Sequence, residues 1–130
     1  MNATRFVIGL FAAAATLSGA AACSHNTYEA AGEVAPTNSI GLQVRNQNFL
    51  DMDVYAVQSG GLATRLGTVT GNSTKTFILP PAYASQDLQI VASPIGGTGR
   101  ASTGPIVVGA GQTVEFRIGS VLANSTVFIR

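Results

Sequence analysis

From residue 40 onward, apolar residues recur at every second position in short runs, and that period decides the fold class. In Ile40-Gly-Leu-Gln-Val-Arg-Asn46, Ile40, Leu42 and Val44 share one side and Gly41, Gln43 and Arg45 the other. Thr113-Val-Glu-Phe-Arg-Ile118 alternates most cleanly, with Val114, Phe116 and Ile118 expected to face inward and Thr113, Glu115 and Arg117 outward. Side chains two apart lie on one face of an extended chain, so the pattern predicts strands with one buried and one wet face, as in antiparallel sheets. Asp53–Ser59, Ala63–Val69, Ser73–Leu79, Leu88–Ile95 and Gly104–Gly109 read as further strands, and Ser125–Arg130 as the last. Turn residues separate them: Gly60-Gly61, Gly71-Asn72, Pro80-Pro81, Gly96-Gly97-Thr98-Gly99, Gly109-Ala110-Gly111 and Gly119-Ser120. Pro81–Gln86 is the sole candidate for a helical turn. The expectation is an all-β fold, an antiparallel immunoglobulin-like β-sandwich of seven to eight strands over residues 40–130.

Composition narrows the class of partner. Outside the first 22 residues the basic side chains are Arg45, Arg65, Lys75, Arg100, Arg117 and Arg130, against Glu29, Glu33, Asp51, Asp53, Asp87 and Glu115. The charges balance and neither sign clusters in sequence, so nothing argues for nucleic acid as a partner. A single cysteine, Cys23, excludes an intramolecular disulfide.

That cysteine ends a stretch with the grammar of an export signal. Arg5 supplies the positive amino end, Phe6–Leu17 an apolar run, and Ser18-Gly-Ala-Ala-Ala22 the small residues of a cleavage site. Twelve helical residues span about 18 Å, short of a bilayer core of roughly 30 Å. Leu17-Ser-Gly-Ala-Ala-Ala-Cys23 resembles a bacterial lipoprotein signal, in which small residues precede a cysteine that is lipidated and becomes the mature amino terminus. The sequence departs from that family at Ala20, where a branched aliphatic residue is usual. The Ala20–Ala22 triplet also suits soluble export, and an uncleaved anchor is the third fate. The resemblance implies a signal peptide at 1–22, lipid attachment at Cys23, and a bacterial envelope location, facing the periplasm from an outer membrane if the cell has one. Removing 22 of 130 residues leaves 108, enough for one core.

Residues 23–39 combine the lipidated cysteine with a tether. Ser24–Ser39 is polar and small, with Gly32 and Pro36 and no alternation. Its His25 has no neighbouring ligand residues, so neither a metal site nor a cysteine–histidine dyad is expected. Farther on, Val44-Arg-Asn-Gln-Asn-Phe-Leu-Asp-Met-Asp-Val-Tyr-Ala-Val-Gln58, followed by Arg65–Val69, Thr76–Pro80 and Leu88–Pro94, resembles secreted bacterial β-sandwich domains of unknown function. The resemblance covers about Leu42 to Pro94 and implies packing and turn residues only.

Residues 40–130 contain no histidine and no cysteine. Serine-histidine catalysis and zinc chemistry therefore lack their parts, and no catalytic residue, metal or cofactor is expected. Asp51 and Asp53 form an Asp-x-Asp pair, two donors where calcium takes six to eight, and are expected at a polar strand edge. A carboxylate pair of Asp87 with Asp51 or Asp53 is the one remaining route to hydrolysis. Gly96–Gly104 brushes against phosphate-loop patterns, but Pro105–Val108 reads as a strand where such loops need a helix. It is expected to be the longest mobile loop and a contact surface built from Thr98, Arg100 and Ser102. Asn72-Ser-Thr and Asn124-Ser-Thr fit the glycosylation pattern, which a bacterial chain leaves incidental. The functional expectation is a non-enzymatic structural or protein-binding module, membrane-anchored through its lipid and meeting an envelope protein or glycan. A small-ligand or glycan-binding module using Arg100 with Tyr55 or Tyr83 is the alternative.

Overall fold

The computed structural model describes residues 38–130. The signal at 1–22, Cys23, His25 and the tether up to residue 37 lie outside the described residues. Nine strands form two sheets, with no α-helix among the described residues. One sheet has the order β4-β1-β8-β9, from β4 (Thr74–Leu79), β1 (Ile40–Asn46), β8 (Thr113–Ile118) and β9 (Thr126–Ile129). The other runs β3-β2-β5-β6, from β3 (Ala63–Val69), β2 (Met52–Gln58), β5 (Asp87–Pro94) and β6 (Ala101–Ser102), with β7 (Ile106–Val107) also on β5. The chain crosses between sheets after β1, β3, β4 and β7.

Alternation predicted the buried faces because each sheet has one dry side. Ile40, Leu42, Val44, Val114, Phe116 and Ile118 from one sheet and Met52, Val54, Ala56, Leu88 and Ile90 from the other are fully buried. They belong to a single hydrophobic cluster, so the core lies between the sheets.

Four expectations need correction. The fold is not wholly antiparallel: β1 and β8 pair in parallel, Gly41 opposite Thr113 through Asn46 opposite Ile118. Alternation fixes which face is buried but carries no direction, and the long connection from β1 to β8 permits either sense. The segment Gly96–Gly104 is not one open loop, since β6 pairs Ala101 with Ala92 on β5 and buries Ala101. The strand expected over Gly104–Gly109 shortens to Ile106–Val107, while Pro81–Tyr83 and Leu122–Asn124 form single 3-10 turns. Glu115, expected to be wet, is 5% exposed.

Glu115 does point away from the core, but arginines cover it. Its carboxylate accepts from Arg117 Nε at 2.5 Å and from Nη2 of Arg130, which follows the neighbouring strand β9. Arg117 in turn lies 4.9 Å from the centre of the Phe128 ring. The Arg117 hydrogen bond, with the charges of Arg117, Arg130 and Arg45, holds the Glu115 carboxyl below its ordinary range. Asp53 is lowered likewise, first by its Thr68 hydrogen bond and then by Arg65. A carboxyl whose folded pKa is depressed stabilises the fold above its unfolded pKa and loses that contribution as pH falls through the folded value. Stability should therefore decline as pH drops below the ordinary carboxylate range. Glu115→Gln and Asp53→Asn should each lower stability at about pH 6–8 and flatten that decline, measured by thermal melts across pH. An unchanged acid limb in both variants would show that these pairs form in the unfolded chain as well.

Candidate interaction surface at the loop end

Strand direction sorts the loops into two groups. β1, β3, β5 and β8 finish, and β2, β4 and β9 begin, at one end of the sheet pair. The connections 47–51, 70–73, 95–100 and 119–125 meet there. Ile40, the first residue of β1, lies at the opposite end beside the 59–62, 80–86 and 108–112 connections, with Gly111 N donating to Ser39 O at 3.0 Å.

Two buried asparagines tie the loop end together. The Asn46 amide donates to Leu50 O at 2.8 Å, Val69 O at 3.3 Å and Thr70 O at 3.2 Å, and its carbonyl accepts from Asn48 N at 3.0 Å. Asn48 donates to Ser120 O at 2.9 Å and accepts from Leu50 N at 3.0 Å. Asparagine suits these positions because one side chain supplies both donors and an acceptor to turn backbone that no sheet ladder satisfies. Asp51 adds a further tie, accepting from Gly71 N at 2.9 Å. Gly71 is required by closeness: a Cβ there would lie 2.2 Å from Phe49 O. Sequence reasoning missed Asn46 and Asn48. The available signal was Asn-x-Asn directly after an alternating strand.

On this tied base three loops expose apolar side chains: Phe49 is 77% exposed, Ile95 50% and Val121 58%. Beneath them Leu50 and Leu122 pack partly into the core. The glycines of the 95–100 loop fit against these leucines, since a Cβ on Gly97 would come within 2.9 Å of Leu50 and one on Gly99 within 3.4 Å of Leu122. Thr98 and Arg100 are exposed on the same loop, and Arg100 has no ion-pair partner among the described residues. Ser102 is placed differently, half-buried in β6 with its hydroxyl accepting from Gln89 Nε2 at 2.6 Å and Gly104 N at 3.0 Å. It builds the loop's base rather than its tip. A polar recess of about 420 Å³ adjoins this end, lined by Arg45, Asn46, Gln47, Asn72, Ser73 and Thr74.

The other expected sites come apart. Asp51 caps the 70–73 turn, and Asp53 accepts from Arg65 at 2.7 Å and Thr68 at 2.6 Å, so both carboxylates serve the β2–β3 region. Asp87 begins β5, six residues before Ser93, the partner of Asp53. At about 3.3 Å per residue that separation is roughly 20 Å, beyond the carboxylate spacing of glycosidases. Tyr83 is buried at the Ile40 end, whereas Tyr55 is half-buried on the outer side of β2, so no tyrosine platform forms.

No family model matches the chain, and no curated protein matches it. Among solved structures, the chain is similar to an NMR structure of a protein from Eubacterium rectale, with 12% identity and a TM-score of 0.48 over 75% of this chain and 94% of that one.

Proposed function

We propose that this chain is an exported, lipid-anchored envelope protein whose domain works by contact, without catalysis, through the loop end. The observation carrying the reading is the exposure of Phe49, Ile95 and Val121 from three separate loops held together at their base, where Asn48 donates to Ser120 O and Ile95 N donates to Asp51 O. Exposed apolar side chains gathered on a pinned surface fit the apolar face of a partner protein. Direction supports it too: the loop end lies opposite Ile40, the end of the domain that follows Cys23 in sequence. The anchor rests on the small-residue run into Cys23. The polar recess beside Arg45 and Asn72 favours the second reading, a small-ligand or glycan-binding module.

The immunoglobulin-like assignment is part of the same proposal. β1 pairing with β4, and β2 lying between β3 and β5 with β6 beyond, follow the B–E and C′–C–F–G neighbours of that sandwich. β8 then occupies the flank of β1 that the first strand usually takes, in parallel.

Pull-down from native envelopes tests the function with three forms of the full chain. The unsubstituted protein should fractionate with membrane and retain a partner. Cys23→Ala should be soluble or remain as precursor. Phe49→Ser/Ile95→Ser/Val121→Ser should stay in the membrane and lose the partner. A Cys23→Ala protein that remains membrane-bound after processing contradicts the anchor, and full capture by the triple variant contradicts the contact surface.

A further inference from the structure

Two sheets expose four edges, and three of them carry features that oppose strand addition. On β4, Lys75 sits at a core-facing register position and reaches Thr68 O at 3.1 Å, an inward charge. β3 carries Arg65 and a register shift against β2 between Val54 and Tyr55. β6 and β7 are two residues each, with Pro105 between them. β9 has none of these. Its residues are Thr126-Val-Phe-Ile129, without charge, proline or bulge, with Phe128 46% and Ile129 41% exposed. Among the described residues its outer edge has no strand partner.

The ladder to β8 shows which backbone groups that edge presents. Thr113 and Arg130 exchange both hydrogen bonds, Thr113 N to Arg130 O at 3.0 Å and Arg130 N to Thr113 O at 2.9 Å. Antiparallel pairs alternate, so Phe128 and Thr126 also turn their amides toward β8, and Val127 and Ile129 turn theirs outward. We propose that β9 pairs antiparallel with β9 of a second copy of this chain, on a two-fold axis through Phe128, joining two four-stranded sheets into one of eight. In that register Val127 lies opposite Ile129 of the second copy, and their free N–H and C=O groups supply four hydrogen bonds. A residue-centred axis keeps inner faces inner, so Val127 and Ile129 cover one another on the core side. Phe128 meets Phe128, each ring backed by its own Arg117, and Arg130 falls opposite Thr126, so no like charges stand directly across. Blunted edges elsewhere stop the assembly at a closed dimer.

The test uses the full chain in detergent with Cys23→Ser throughout. Sedimentation equilibrium should give a dimer. Phe128→Cys should oxidise to a linked dimer, because residues on the axis form a close non-hydrogen-bonded pair with Cα atoms about 4.5 Å apart, within disulfide reach. Thr76→Cys, on the β4 edge, should remain unlinked. Ile129→Pro removes only outward N–H groups and should weaken the dimer about tenfold or more at a nearly unchanged melting midpoint. A monomeric chain, equal linking at Phe128→Cys and Thr76→Cys, or a dimer unaffected by Ile129→Pro would each overturn the proposal. If Ile129→Pro fails to fold, the comparison of the two cysteine variants decides.

Discussion

Phe116→Ala should lower the stability of the domain by about 3–5 kcal/mol. Phe116 is fully buried on β8, between Val44 in the parallel ladder to β1 and Val127 on β9. It is one of the two largest fully buried side chains, and the surrounding strands are held by ladders on both sides, which limits collapse into the vacated space. Thr76→Ala on the exposed face of the same sheet should change stability by less than about 0.5 kcal/mol. Denaturant midpoints at constant slope measure both. Equal effects would mean that Phe116 does not fill the core between the sheets.

Asn46→Ala should cost about 2–4 kcal/mol, although the side chain removed is small and polar. The loss leaves the carbonyls of Leu50, Val69 and Thr70 and the amide of Asn48 short of a partner in a region where Asn46 itself is 1% exposed. Each unsatisfied buried group costs about 1–3 kcal/mol, moderated where water can enter the loosened turn. Asn46→Asp should be worse than alanine at neutral pH. It sets a buried negative charge against three carbonyl oxygens and keeps none of the amide's donors. The discriminating measurement is the order of the two variants in denaturant melts. Aspartate matching wild type would show that the asparagine amide does not hold these loops.

Most of the fold was legible because a two-sheet domain writes its core into local alternation. Ala63–Val69 coincides with β3, Ile40–Asn46 with β1, and Val114, Phe116 and Ile118 are buried as the period requires. What was not legible depends on residues far apart in sequence. Glu115 looks wet because the arginine that closes over it stands fifteen residues later, just past the next strand. The parallel β1–β8 ladder joins segments some seventy residues apart, and nothing in either strand records its direction. The proposed contact surface was half legible. Glycines marked the 95–100 loop and its exposed Thr98 and Arg100. The companion residues Phe49 and Val121 stood in other turns and gave no sign of meeting there. Apolar side chains inside turn segments, at odds with the usual polar turn, were the overlooked signal.

The most direct test of the loop end as the working surface is photo-crosslinking in the cells that make the protein. A photoreactive residue is placed at Ile95 in one full-length variant and at Leu62 in another. Both positions are exposed, 50% and 72%, and they lie at opposite ends of the domain. The expected result is a discrete adduct to another protein from position 95 and none from position 62. The same adduct from Leu62, or none from Ile95, would contradict a domain that binds through the loop end.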